Sequence, residues 1–310
     1  MNGNLRGALL CLLLVTACGP AEEFVVHLDH PATSDPALVD AEYPPAMREL
    51  SFRSAGSKLN GLMYIADGAG PHPTVVLLHG YAGNERNLDL AQAIRRAGIN
   101  VMYFNYRGSW GSGGEFSPSN AIEDVATAIA FVRSDDAREA YRGDGRVALI
   151  GHSFGGFTGA MATLADPDVA CFASIAGANV GALGKAAAAD PEARAAIAAG
   201  LGQDMDYEGG PIKADPDAVT QDMVSRAEDF DLTMRAPSLV GRPLLLVAGA
   251  RDETAPKVEH HDPLMAALQA AGGTGVTELV LDDDHYFSAH RVELSVRVVD
   301  WLRTACWPGM

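Results

Sequence analysis

A chain of 310 residues that is 48% hydrophobic and 20% charged carries enough apolar material for one sizeable core. Its 40 acidic residues against 23 basic ones give a formal net charge of -17, which argues against the clustered Lys and Arg of a nucleic-acid-binding surface. Four cysteines without CxxC or Cys/His ligand spacing give no metal site.

The first residues read as a targeting segment. Met1 to Gly7 carries one positive charge, Arg6, and Ala8 to Val15 is an apolar run too short to cross a bilayer as a helix. The run ends in Val15-Thr16-Ala17-Cys18, which resembles a bacterial lipobox. That resemblance implies a lipoprotein signal peptide over residues 1–17, removed before Cys18, whose thiol then takes a diacylglyceryl group. The protein would be held to a membrane by those lipids, in the cell envelope. Gly19, in place of an aspartate, points to the outer membrane. The alternative is an ordinary secretory signal cut near Ala17 or Ala21, giving a secreted protein. Residues 18–47 are polar, hold Pro31, Pro36, Pro44 and Pro45, and show no periodicity, so they read as a flexible tether.

The folded domain is expected over residues 48–305. Leu50 to Arg53 and Leu59 to Ile65 alternate around Gly56, the pattern of an edge hairpin. Continuous apolar strands follow at 74–78, 101–105, 147–150, 171–175, 244–247 and 277–281. Helical patterns lie between or after them at 87–97, 120–134, 154–165, 258–271 and 288–303. That alternation specifies an α/β fold with a mostly parallel central sheet covered by helices on both faces. One interval is too long for a single crossover. Residues 177–239 form an insertion between the sixth and seventh strands, helical over 181–201 and 218–234, which is either a lid over the strand ends or a decorated crossover. Cys171 lies in the apolar run Val169 to Ile175 and reads as a small buried hydrophobe, although pairing with Cys306 is open.

The chemistry gathers at strand ends. Gly151-His152-Ser153-Phe154-Gly155-Gly156 follows an apolar strand and opens a helix, the setting of a nucleophile elbow with Ser153 at its apex. A serine needs a base, and the base needs an orienting carboxylate. Asp252 lies in the loop after Leu244 to Gly249, with Glu253 as the adjacent alternative. His285 lies in the loop after 277–281, ahead of His290, which falls in the next helix. His260 and His261 read as surface residues, and Asp282 to Asp284 as a solvated loop. The tetrahedral intermediate calls for two amide donors, expected from Phe154 and, in the loop His79 to Asn84, from Tyr81. Gly80 lets that backbone approach. His79 reads as a packed orienter of the loop, His152 as structural or substrate-lining rather than the base, and Gly80 is expected to line the substrate.

His79-Gly80, Asn105-Tyr106-Arg107-Gly108, the elbow, Asp252 with Pro256, and His285 together resemble the α/β-hydrolase superfamily. Within it, the pattern is similar to prolyl-oligopeptidase-like serine hydrolases and to related esterases and dienelactone-hydrolase-like proteins. The resemblance implies a cofactor-free serine hydrolase acting on a small carboxylic ester through Ser153, His285 and Asp252. A peptidase or amidase of the same mechanism is the second reading. A lipoprotein that keeps the fold and only binds a partner is the third.

Overall fold

A computed structural model describes residues 29–205 and 210–310. The expected signal peptide and Cys18 lie outside the described residues. Eight strands form one sheet: β1 (Ala46–Ser54), β2 (Ser57–Ile65), β3 (His72–Leu78), β4 (Asn100–Phe104), β5 (Gly143–His152), β6 (Val169–Ile175), β7 (Leu244–Gly249) and β8 (Val276–Leu281). Their order is β1-β2-β4-β3-β5-β6-β7-β8. The hairpin β1–β2 joins antiparallel to β4, and every later pairing is parallel. The parallel strands at the centre have both faces covered, which is why Val147 to Ile150 and Val75 to Leu78 are apolar at every position.

Helices α1 (Leu88–Arg96), α2 (Pro118–Arg133), α3 (Asp135–Ala140) and α4 (Phe154–Ala165) come from the first half of the chain. The insertion supplies α5 (Val180–Ala189), α6 (Pro191–Gly202), α7 (Pro216–Ser225), α8 (Ala227–Phe230) and α9 (Leu232–Leu239). After it come α10 (Lys257–Ala270) and α11 (Arg291–Trp301), which runs on into a π-helical turn at Leu302–Cys306. One core packs α2, α4 and α10 against the sheet, with Val125, Phe157 and Leu264 inside it. The other packs α1 and α11 on the opposite face through Ile94, Leu294 and Val298. Truncating a buried aromatic such as Phe157 to alanine removes about 3–5 kcal/mol.

Capping explains two of the three breaks in the expected helices of the insertion. The expected helix over 181–201 splits because Asp190 accepts from the Glu192 amide and Pro191 starts a new helix. The expected helix over 218–234 splits at Asp231, whose carboxylate accepts from the Thr233 amide and caps α9. The insertion is also fastened to the body. Trp110 N donates to the Pro211 carbonyl (2.7 Å), Phe116 N to Lys213 O (3.0 Å) and Lys213 N to Gly108 O (2.7 Å). Ser119 adds two bonds to the Asp222 carboxylate.

Two expectations change. Residues 29–45 have neither helix nor strand, but this part of the expected tether is docked on the domain. Arg96 donates to the Pro31 carbonyl, Arg142 to that of Pro44, and Asp67 accepts the Asp40 amide. Body side chains thus supply the hydrogen bonds that this stretch cannot form within itself. Cys171 is buried as expected, yet it is bonded to Cys306 with the Cα atoms 5.5 Å apart. The π-helical turn after α11 brings position 306 back onto β6, a meeting that 135 residues of separation hide in the sequence. Among the described residues no helix is long and apolar enough to cross a membrane.

Candidate active site

The parallel strands all deliver their following loops to one edge of the sheet, where ligands bind in open α/β folds. Five of these loops converge: those after β3, β5, β6, β7 and β8.

At the end of β5 the chain turns sharply into α4. Ser153 stands at the corner with φ 55° and ψ -119°, a conformation that a residue with a side chain rarely adopts. The turn is tight enough that a Cβ at position 151 would lie 2.0 Å from the Gly155 carbonyl oxygen. Neighbours hold the strain in place. Ser153 N donates to Ile175 O (2.9 Å), and its carbonyl accepts from Gly156 N (2.9 Å) and Ala178 N (3.1 Å). The hydroxyl therefore sits at the N-terminus of α4, where unpaired amides favour developing negative charge.

His285 and Asp252 meet although 33 residues separate them. His285 Nδ1 donates to Asp252 Oδ2 at 2.7 Å, with both side chains buried. The second carboxylate oxygen accepts from the amides of Thr254 and Ala255, each at 2.8 Å. Burial would raise the Asp252 pKa, but the His285 bond and these amides outweigh it and hold it below the usual carboxylate value. Glu253, the adjacent alternative, is exposed. With Nδ1 donating, His285 Nε2 keeps its lone pair. Neither Nε2 nor Ser153 Oγ has a hydrogen-bond partner among the described residues.

The loop bearing His285 is built by its aspartates. Asp283 accepts from His290 Nδ1 (2.9 Å) and from the Asp284 and Ala289 amides, and Asp284 accepts from Tyr286 N and Ser288 N. Asp283 is buried, so the expectation of a merely solvated loop holds only for the exposed Asp282. His290 is the residue just before α11 and serves as a partner of Asp283.

On the other side stands the loop after β3. Gly80 packs directly against Ser153. His79 Nδ1 donates to the Gly80 carbonyl at 2.7 Å, which fixes the plane of the peptide that also carries the Tyr81 N–H. Burial drives the His79 pKa down to about 4, so it performs this task uncharged. The Tyr81 amide has no acceptor among the described residues, and the Phe154 amide opens α4. Gly80, the residue before Tyr81, thus packs against Ser153, and Phe154 follows Ser153 directly at the start of α4. Tyr81 also reaches the insertion, its hydroxyl donating to the Leu201 carbonyl.

Of the two readings of His152, substrate-lining gives way to the structural one, because the side chain is buried. Its Nε2 donates to the His285 carbonyl (2.9 Å), and its Nδ1 is enclosed without a partner.

Two residues that sequence reasoning leaves outside the site matter here. Asn179 caps α5, donates from Nδ2 to Asp231 (2.9 Å), and accepts from the Leu232 amide (3.2 Å). Its own amide donates to His260 Nδ1 at 3.1 Å. His260 and His261 are therefore not surface residues, being 6% and 7% exposed. An asparagine just ahead of a helical pattern is a capping signal that would have marked Asn179. His261, Asp262 and Glu278 lie within ligand range of one another, but His261 pairs with Glu278 and Asp262 with Lys257. Each member is thus already satisfied by protein.

The alpha/beta hydrolase family matches over residues 75–298. Among solved structures, the esterase of Pyrococcus furiosus is similar over 88% of the chain and 97% of its own, with TM-score 0.62 and 19% identity. The acylaminoacyl peptidase of Pyrococcus horikoshii is similar over 86% of the chain and 42% of its own, at TM-score 0.62 and 17% identity. Puromycin hydrolase matches over 86% and 39%, at TM-score 0.57 and 22% identity. At these identities the likeness is one of fold.

Proposed function

The chain belongs to the alpha/beta hydrolase family, and on that premise we propose that it is a serine hydrolase cleaving carboxylic esters of small molecules. Ser153 Oγ attacks the ester carbonyl carbon while His285 Nε2 takes its proton. Asp252 keeps the imidazole in the Nδ1–H tautomer and steadies the imidazolium that forms. The negative oxygen of the tetrahedral intermediate accepts from the Tyr81 and Phe154 amides. Collapse returns the proton to the departing alcohol and leaves an acyl-Ser153, which water hydrolyses with His285 again as base.

The observation that carries this reading is the buried His285–Asp252 bond of 2.7 Å, joined through the His152–His285 bond to a strained Ser153 at a helix N-terminus. The experiment is hydrolysis of short p-nitrophenyl esters and of aminoacyl anilides by the wild type and Ser153→Ala. Ester turnover that vanishes in the variant supports the reading. Faster anilide than ester turnover would move the assignment to an amidase, and full activity in Ser153→Ala would remove it.

Anchoring through lipid at Cys18 belongs to the same proposal. The Cys171–Cys306 bridge supports an exported protein, because such bonds persist in oxidising compartments such as the periplasm. Replacement of Cys18 by serine should release the protein from the membrane fraction.

A further inference from the structure

We propose that His152 is a positioning residue for the base: it holds the main chain of His285, and through it the imidazole, at a fixed place beside Ser153. This rests on the serine-hydrolase reading above and adds to it a residue outside the triad.

A catalytic histidine is usually described as held by its acid alone, and here that hold acts on the side chain through Asp252. The end of β5 supplies a second hold on the main chain. His152 Nε2 donates to the His285 carbonyl at 2.9 Å, and the two residues are 3% and 4% exposed. In so dry a setting a hydrogen bond is strong, and an unpaired partner is costly. Because residue 152 is covalently joined to the nucleophile, this one bond ties Ser153 and His285 together without passing through the acid. The rings reinforce it. The His152 and His285 centroids lie 4.7 Å apart, and Tyr286 closes the cluster at 6.1 Å from His152 and 5.2 Å from His285.

The same geometry rules out the simpler role of contacting substrate. Nε2 is engaged with His285, and Nδ1 is enclosed, close to where a side chain on Gly80 would begin. Neither nitrogen is offered to the cleft. Loss of His152 should therefore act on turnover and leave substrate binding alone.

The test compares His152→Leu, which removes the donor, with His152→Gln, which keeps an N–H of similar reach. Active-site titration with a fluorophosphonate corrects each for its folded fraction. His152→Leu should lose kcat by about 100-fold, the scale of a 1 Å misplacement, with KM unchanged within twofold, and His152→Gln should recover most of the loss. An unchanged kcat, a change confined to KM, or a glutamine variant as poor as the leucine one would each overturn the proposal. The downfield proton resonance of the His285–Asp252 bond reads the same question without any substrate. It should persist in His152→Gln and shift or broaden in His152→Leu, and an unmoved resonance would also overturn the proposal. Should Ser153→Ala prove active, the hydrolase reading fails on its own while this resonance still decides the positioning.

Discussion

Gly80 stands so close to Ser153 that a Cβ at position 80 would lie 2.9 Å from the Ser153 Cβ and 3.3 Å from the His152 carbonyl oxygen. The contact cannot absorb a methyl group without moving the loop, because Ser153 is itself pinned by three backbone hydrogen bonds. Gly80→Ala should push the Tyr81 amide away from the cleft. Loss of one such donor removes about 2.7–4 kcal/mol of transition-state stabilisation, or roughly 100- to 1,000-fold in kcat. Kinetics on a short acyl ester, with a melting curve to confirm folding, check this. An unimpaired kcat would remove Tyr81 from the proposed oxyanion hole.

Acid should destabilise the protein in two stages. Burial lowers the pKa of His79 to about 4 and of His152 to about 3, whereas the unfolded chain protonates both near 6.5. Between pH 6.5 and about 4 the unfolded state binds more protons, so stability is full above this window and falls within it. The slope is about 1.4 kcal/mol per pH unit for each histidine. Carboxylates add to the loss below that range. Asp231 is the clearest: burial opposes its charge, but bonds from Asn179, Lys185 and Thr233 prevail and hold it at about 2. Urea midpoints at pH 7.5 and 5 should differ accordingly, and His79→Asn should flatten the difference.

The bridge between Cys171 and Cys306 closes a large loop and ties the end of the chain to β6. Cys306→Ser should cost about 2–5 kcal/mol in unfolding free energy. Wild type under reductant should unfold at the midpoint of the variant, and alkylation of the unreduced protein should leave both cysteines unmodified.

Arg107 and Asp124 form a buried ion pair at 2.6 Å, and Asp124 also accepts the Arg107 amide at 2.8 Å. The pair holds the segment after β4 that supports the insertion through Gly108, Trp110 and Phe116. Asp124→Ala removes the buried partner of a guanidinium that is 6% exposed, leaving it only Glu123 and the Asn120 carbonyl, and should cost about 3 kcal/mol. Denaturant titration measures the loss.

Much of this was legible in the residues. Strands were announced by apolar runs such as Val147 to Ile150, and Ser153, Asp252 and His285 each follow one, so their convergence needed only a parallel sheet. Legibility failed where a feature depends on long-range packing. The partner of Cys171 lies 135 residues away. His260 looked exposed at a helix start, yet the Asn179 amide covers it. The docking of residues 29–45 uses arginines 65 and 98 positions downstream. Helix α3 is hard to read because its six residues, all of them charged or alanine, leave no apolar period.

The central claim is that Ser153 is the nucleophile. Reaction of the purified protein with a fluorophosphonate, followed by peptide mapping in the mass spectrometer, tests it most directly. The account predicts a single adduct on Ser153, absent from Ser153→Ala and formed far more slowly in His285→Ala. No adduct, or an adduct on another residue that survives in Ser153→Ala, would contradict it.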